Sequence, residues 1–158
     1  MIDRIKISFT IILFMILYGS CSVTRTLDDD ELLYTKTEVE LKEKSFFEKR
    51  GLEKELEEAA VPEPNDEFLG LIPFQLWMYN LAGDSVPDKG LRHWLKFKAG
   101  QEPVIYSEYH KENSINNITA VLFNKGYFES DVRAKENIEG KKIELIYSAE
   151  LNDQYTID

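Results

Sequence analysis

The chain has 158 residues, 43% apolar and 30% charged, which suits one domain with a modest appendage and excludes two large domains or wholesale disorder. Lys and Arg number 19 against 29 Asp and Glu, a net charge of −10, so the surface repels phosphate backbones and nucleic acid is excluded as a partner. One cysteine, Cys21, and two histidines, His93 and His110, exclude an internal disulfide framework and a multi-cysteine zinc site.

Residues 1–20 differ from everything after them. Arg4 and Lys6 form a basic start, and about a dozen mostly apolar residues run from Ile7 to Tyr18. Gly19 and Ser20 follow, both small, and then Cys21. This is the pattern of a signal peptide. A dozen residues of helix reach roughly 18 Å, short of the ~30 Å hydrocarbon core. Leu17-Tyr18-Gly19-Ser20-Cys21 resembles a bacterial lipobox, with Tyr18 where an aliphatic residue is usual. The expectation is that residues 1–20 are removed and that Cys21 carries a covalent lipid as membrane anchor. Several acyl chains on one residue hold a protein durably, whereas one chain binds marginally. Residues 21–32, with the acidic run Asp28 to Glu31, are expected to form a solvated tether.

Leu33, Thr35, Thr37, Val39 and Leu41 alternate with Tyr34, Lys36, Glu38 and Glu40, which predicts a half-buried first strand. Ser45, with Glu48 three residues on, reads as a capping box opening a helix. Its core side is Phe46, Leu52, Leu56 and Ala59 with Ala60, and Pro62 and Pro64 end it. The stretch from Phe68 to Leu81 is dense in large apolar residues. It reads either as a second core helix or as a surface for a neighbouring domain or a membrane interface, to which Trp77 and Tyr79 are suited. Leu91, Trp94, Leu95 and Phe97 predict one or two helical turns.

Pro103 to Tyr106 is predicted to be extended. A helix follows over 107–124, with Ile115, Ile118, Val121 and Leu122 on one face and Gly126 as its stop. Tyr127 to Ala134 reads as a strand, 137–142 as a turn and Lys142 to Ala149 as the returning strand of a hairpin. Gln154 to Asp158 reads as the start of another strand, cut short. The order is β-α-insert-α-β-β, so the fold class is α+β: a three-stranded sheet covered on one face by two helices, with an aromatic-rich insert between the helices.

Catalytic patterns are missing. Neither histidine shares ligand spacing with Cys21 or with the other. There is no Gly-x-Ser-x-Gly, no phosphate-binding glycine loop and no HExxH. The sequence therefore points away from an enzyme and implies no cofactor, metal or catalytic residue beyond the lipid on Cys21.

Four segments carry a family likeness. Cys21-Ser22-Val23-Thr24-Arg25 with Glu31-Leu32-Leu33-Tyr34, Phe74-Gln75-Leu76-Trp77-Met78-Tyr79-Asn80-Leu81, Gln101 to Tyr106, and Asn124-Lys125-Gly126-Tyr127-Phe128 stand in order along the chain. Together they resemble the lipidated BamA/TamA-like (TamL-type) outer-membrane assembly proteins, over the signal peptide and first POTRA domain. The resemblance implies a POTRA-like domain over 33–152, with 153–158 the truncated start of the following one and the chain a fragment without its β-barrel. It implies an outer-membrane, lipid-anchored, periplasm-facing protein. Implied partners are unfolded outer-membrane clients, assembly partners and following POTRA domains. An exposed strand edge accepts an extended partner through main-chain hydrogen bonds. If the first strand pairs with 142–149, the open edge is 127–134, which presents Glu129, Asp131 and Arg133 as partner contacts. Trp77 and Tyr79 are the other candidate contacts. The alternative is a stand-alone envelope lipoprotein that docks structurally or binds a small ligand between Phe68 and Trp94.

Overall fold

The structure, a computed structural model, describes residues 23–42, 46–67, 73–152 and Tyr155. Cys21, the lipobox, the Ser45 cap and most of 153–158 lie outside the described residues. The fold is mixed α+β, and the chain divides into two units: Met1–Asp28 with Asp66–Glu102, and Asp29–Asn65 with Pro103–Asp158.

The second unit holds the sheet. Strands β1 (Leu33–Lys42), β2 (Asp131–Glu139) and β3 (Lys142–Glu150) lie in the order β1-β3-β2. The central strand β3 runs parallel to β1 and antiparallel to β2. Its alternation is strict: Ile143, Leu145, Tyr147 and Ala149 are buried, and the residues between them face the other way. Helices α1 (Phe46–Ala59) and α4 (Glu108–Asn124) belong to this unit. Leu56 at the end of α1, with Ala60 just after it, and Ile118 and Leu122 from α4 complete one core with the inward residues of the sheet.

One irregularity in β1 decides which residues enter that core. The period-two pattern puts Leu33 and Tyr34 on opposite faces, yet both are buried. The register slips between Tyr34 and Lys36, leaving Thr35 without a partner opposite. A bulge of this kind inserts one residue and shifts the phase of the strand. Tyr34 thereby joins Val39 and Leu41 in the core, and its hydroxyl meets Thr37 Oγ1 at 2.5 Å. Burial pushes the Tyr34 phenol well above its ordinary range, so it stays neutral.

Helix α4 begins where Ser107 Oγ accepts from His110 N at 3.2 Å. It ends in a Schellman motif: Gly126 N donates to Phe123 O at 3.0 Å and Tyr127 N to Leu122 O at 3.0 Å. That reversal needs a left-handed residue, and Gly126 has φ 88°. The motif also explains a boundary that differs from the sequence reading. Tyr127 is not the first residue of a strand but the buried contact that closes the helix cap. Strand β2 starts four residues later, at Asp131, and continues through Glu139 to a two-residue turn, Gly140-Lys141, with φ 61° at Gly140. Glu129 consequently lies ahead of the strand, where its carbonyl accepts from Asn152 Nδ2 at 3.0 Å. Tyr155 is not in a strand; its N–H donates to Gly126 O at 3.1 Å.

The first unit carries helix α2 (Phe74–Ala82) and helix α3 (Leu91–Trp94), which continues as a π-helical turn over Leu95–Ala99. Leu76 and Ala82 are fully buried. The C-terminus of α2 is closed by cations, as its dipole favours. Arg92 donates to Ala82 O through Nε at 3.0 Å and Nη2 at 2.7 Å, and Lys96 Nζ donates to Gly83 O at 3.0 Å. Residues 23–27 are not a solvated tether. Val23 and Leu27 are buried, and Asn80 Nδ2 donates to Val23 O at 2.9 Å. Two apolar side chains in a polar stretch thus suffice to seat it.

Gly100 is the tight point of this unit. A Cβ there would stand 2.6 Å from Leu95 O and 2.8 Å from the Tyr79 backbone. Both neighbours are main chain, so Gly100→Ala is expected to cost about 1–3 kcal/mol. Trp77 and Trp94 both lie in this unit, so tryptophan emission during urea unfolding reads the effect directly. Gly51→Ala, inside α1 with nothing within 4 Å of the new Cβ, is the opposite case: it is expected to stabilise the sheet unit by about 0.5–1 kcal/mol, read by circular dichroism.

Candidate protein-interaction edge

A three-stranded sheet has two edges, and here they differ. The β1 edge is covered at its start and again at Val39 and Leu41. At its start, Leu33 bridges Ile105, Tyr34 N donates to Val104 O at 2.8 Å and Tyr106 N donates to Leu32 O at 2.9 Å. The expected extended piece at 103–106 is thus a short cover strand, held by Asn65, whose Oδ1 accepts from Val104 N at 2.9 Å. Further along, Val39 N donates to Glu57 Oε1 at 3.3 Å and Leu41 N to Glu53 Oε1 at 3.2 Å. The two periodicities match. Carboxylates four residues apart on a helix stand about 6 Å apart, and N–H groups two residues apart on a strand about 6.7 Å. Helix α1 therefore supplies two carboxylate oxygens in place of a neighbouring strand.

Among the described residues the β2 edge has no such cover. Its nine residues pair with β3 from Asp131↔Glu150 to Glu139↔Lys142. Among the described residues no strand lies on its other side. About half of its main-chain N–H and C=O groups therefore point outward, the arrangement that accepts an added strand. The sequence reading put the open edge on this segment if the first strand paired with 142–149; β1 does pair with β3, which leaves β2 from Asp131 onward as the outer strand.

Side chains set the character of that edge. Arg133 and Asp131 form an exposed ion pair at 2.6 Å on the solvent face. Exposed pairs of this sort contribute little stability, so their effect is on which strands approach. On the helix-covered face Val132 and Ala134 pack against the core, and Ile138, near the turn, is 54% exposed. Between them Glu136 accepts from Lys111 Nζ at 2.7 Å and from Tyr106 Oη at 2.7 Å. Lys111 also meets Glu108 at 2.5 Å. The Lys111 ammonium, and after it the Tyr106 hydroxyl, hold the carboxyls of Glu108 and Glu136 below the ordinary range. The same two carboxylates, Glu108 first, push Lys111 up. This network ties the middle of β2 to the first turn of α4. Sequence reasoning missed Lys111 and Glu136; residues 25 positions apart carry no local signal.

Trp77 and Tyr79 are in the first unit and take different roles there. Tyr79 is held: Lys96 Nζ sits 4.9 Å from its ring centroid and its hydroxyl donates to Glu102 Oε1 at 3.3 Å. Trp77 is 39% exposed and stacks on Phe74 with centroids 5.9 Å apart. A groove of about 370 Å³ is lined by Arg25, Trp77, Asn80 and Leu81, among others. It falls in the region where the alternative reading placed a small ligand. No group of three metal-ligating side chains occurs among the described residues. No described helix is long and apolar enough to cross a membrane.

Residues 79–150 match the family model for POTRA, described as surface antigen variable number repeat. That segment, a little under half of the chain, is similar to a POTRA domain. POTRA domains are protein-interaction modules without catalytic chemistry. The match spans the last turn of α2, helix α3, helix α4, β2 and β3, and does not include β1 and α1, whose membership of the sheet unit comes from the structure. No curated protein and no solved structure matches the chain.

Proposed function

We propose that this POTRA domain is a periplasmic receiving module of an outer-membrane protein assembly or translocation factor, anchored by lipid on Cys21. It takes an extended segment of a client or partner polypeptide as a fourth strand beside β2. The observation that supports this reading is the asymmetry of the sheet. Glu53, Glu57 and the 103–106 segment cover β1, while β2 keeps its outward main-chain groups for a partner. Main-chain pairing is tolerant of sequence, as a receiver of many barrel precursors requires. Asp131 and Arg133 act as gatekeepers, since charge on an edge discourages stray pairing. The resemblance of the N-terminus to a lipobox supports the anchor.

Photocrosslinking tests the edge. A crosslinking side chain placed at Arg133 or Lys135 on β2 is expected to capture a urea-diluted outer-membrane barrel polypeptide. The same group at Lys36 or Glu40 on β1 is expected to capture none. Equal capture on both edges, or capture on β1 alone, overturns the proposal.

A further inference from the structure

We propose that the exposed face of helix α2 is a docking surface for the phospholipid interface of the membrane that holds the N-terminus. Phe74, Trp77 and Leu81 follow the i, i+3, i+7 spacing of one helix face, and all three are substantially exposed, Leu81 at 57%. Leu76 and Ala82 are fully buried, so the helix is seated on its own unit with this apolar stripe turned away from the core. Arg25 joins Trp77 and Leu81 in lining the groove along the stripe, with Asp84 as the one acidic residue of the lining. An exposed apolar stripe that carries a tryptophan, with a cation beside it, has the chemistry of the headgroup boundary.

The attachment of the N-terminal stretch selects a bilayer over a protein partner. Val23 is buried, with its carbonyl held by Asn80 of α2 at 2.9 Å, and Thr26 Oγ1 donates to Asn80 Oδ1 at 3.0 Å. Two residues of extended chain, from Cys21 to Val23, span at most about 7 Å. The headgroup layer is itself about 5–8 Å deep on each side of the hydrocarbon core. A lipid on Cys21 therefore leaves no slack to lift α2 clear of the surface. This inference rests on the anchor reading, and the experiment separates the two.

The full acylated chain carrying Trp94→Phe has Trp77 as its only tryptophan. It is reconstituted on vesicles of phosphatidylethanolamine with one quarter phosphatidylglycerol, made with plain or brominated acyl chains. Bromine quenches an indole seated at the boundary, so Trp77 emission is expected to fall at least about twofold on the brominated vesicles. A Phe74→Ser, Leu81→Ser variant in the same background is expected to float with the vesicles and escape quenching. Equal emission on the two lipids from a chain that floats and carries diacylglyceryl mass on Cys21 overturns the inference and leaves the anchor standing. An unacylated chain that stays in the supernatant overturns both. Shielding of Trp77 that grows with protein concentration without vesicles assigns the stripe to a second copy and overturns the membrane assignment.

Discussion

Ile143→Ala is expected to lower the stability of the sheet unit by about 2–5 kcal/mol, the range for removing a fully buried aliphatic side chain. Ile143 is the residue to choose because it sits on the central strand. It stands opposite Tyr34 on β1 and Ile138 on β2, and none of its surface is exposed. A cavity there is walled by both outer strands, so neither can relax into it without losing its own register. Domains are held by only about 5–15 kcal/mol, so the loss is a large fraction of the total. For a unit of this size it corresponds to a fall in Tm of roughly 10–30 °C. Thermal unfolding followed by far-ultraviolet circular dichroism checks it, since this unit contains no tryptophan. Ile138→Ala is the matched control: same sheet face, same chemistry, but more than half exposed, with an expected loss below about 1 kcal/mol. Equal losses at the two positions would show that the sheet is not packed as described.

The second large effect is on edge selection. The double substitution Glu53→Ala, Glu57→Ala is expected to uncover β1 and make the sheet receptive on both sides. Val39 and Leu41 are buried residues whose N–H groups point at those two carboxylates. Leaving a buried donor without a partner costs about 1–3 kcal/mol, and an incoming strand removes that deficit. Two readouts follow. The urea midpoint drops, and a crosslinker at Glu40, silent in the parent chain, begins to capture either a client strand or a second copy. A parent-like midpoint together with continued silence at Glu40 would show that the carboxylates do not guard the edge. Glu53→Gln, Glu57→Gln keeps an acceptor oxygen at each position and is expected to restore most of the cover.

The difference between these two edges is what the proposed function rests on, and it was only partly legible in the chain. Leu33 to Leu41 alternates cleanly, and the spacing of Ile115, Ile118, Val121 and Leu122 marks a helix, so β1 and α4 follow from local pattern alone. The hairpin pairing of β2 with β3 followed from their spacing, but the side of the hairpin that β1 joins did not; the sheet order puts it beside β3. Nor did the start of β2. Tyr127 and Phe128 have the side chains of a strand, but Gly126 turns the backbone left-handed and spends Tyr127 on closing the helix. Glu129 was therefore read into an edge it precedes. The bulge at Thr35 was equally silent, because a strand pattern does not encode its own phase slips.

By itself, the sequence determined that this chain makes an acidic α+β unit of β-α-α-β-β order, because periodicity and capping act over a few residues and are written where they act. Tertiary structure alone decided which sheet edge is free. Glu53 and Glu57 look like ordinary solvated helix residues until α1 is laid along β1 and their oxygens meet the N–H groups of Val39 and Leu41. It likewise decided that Val23 and Leu27 are seated on α2. Both outcomes depend on pairs of groups distant in the chain, whose hydrogen bonds and buried contacts exist only after the elements have packed.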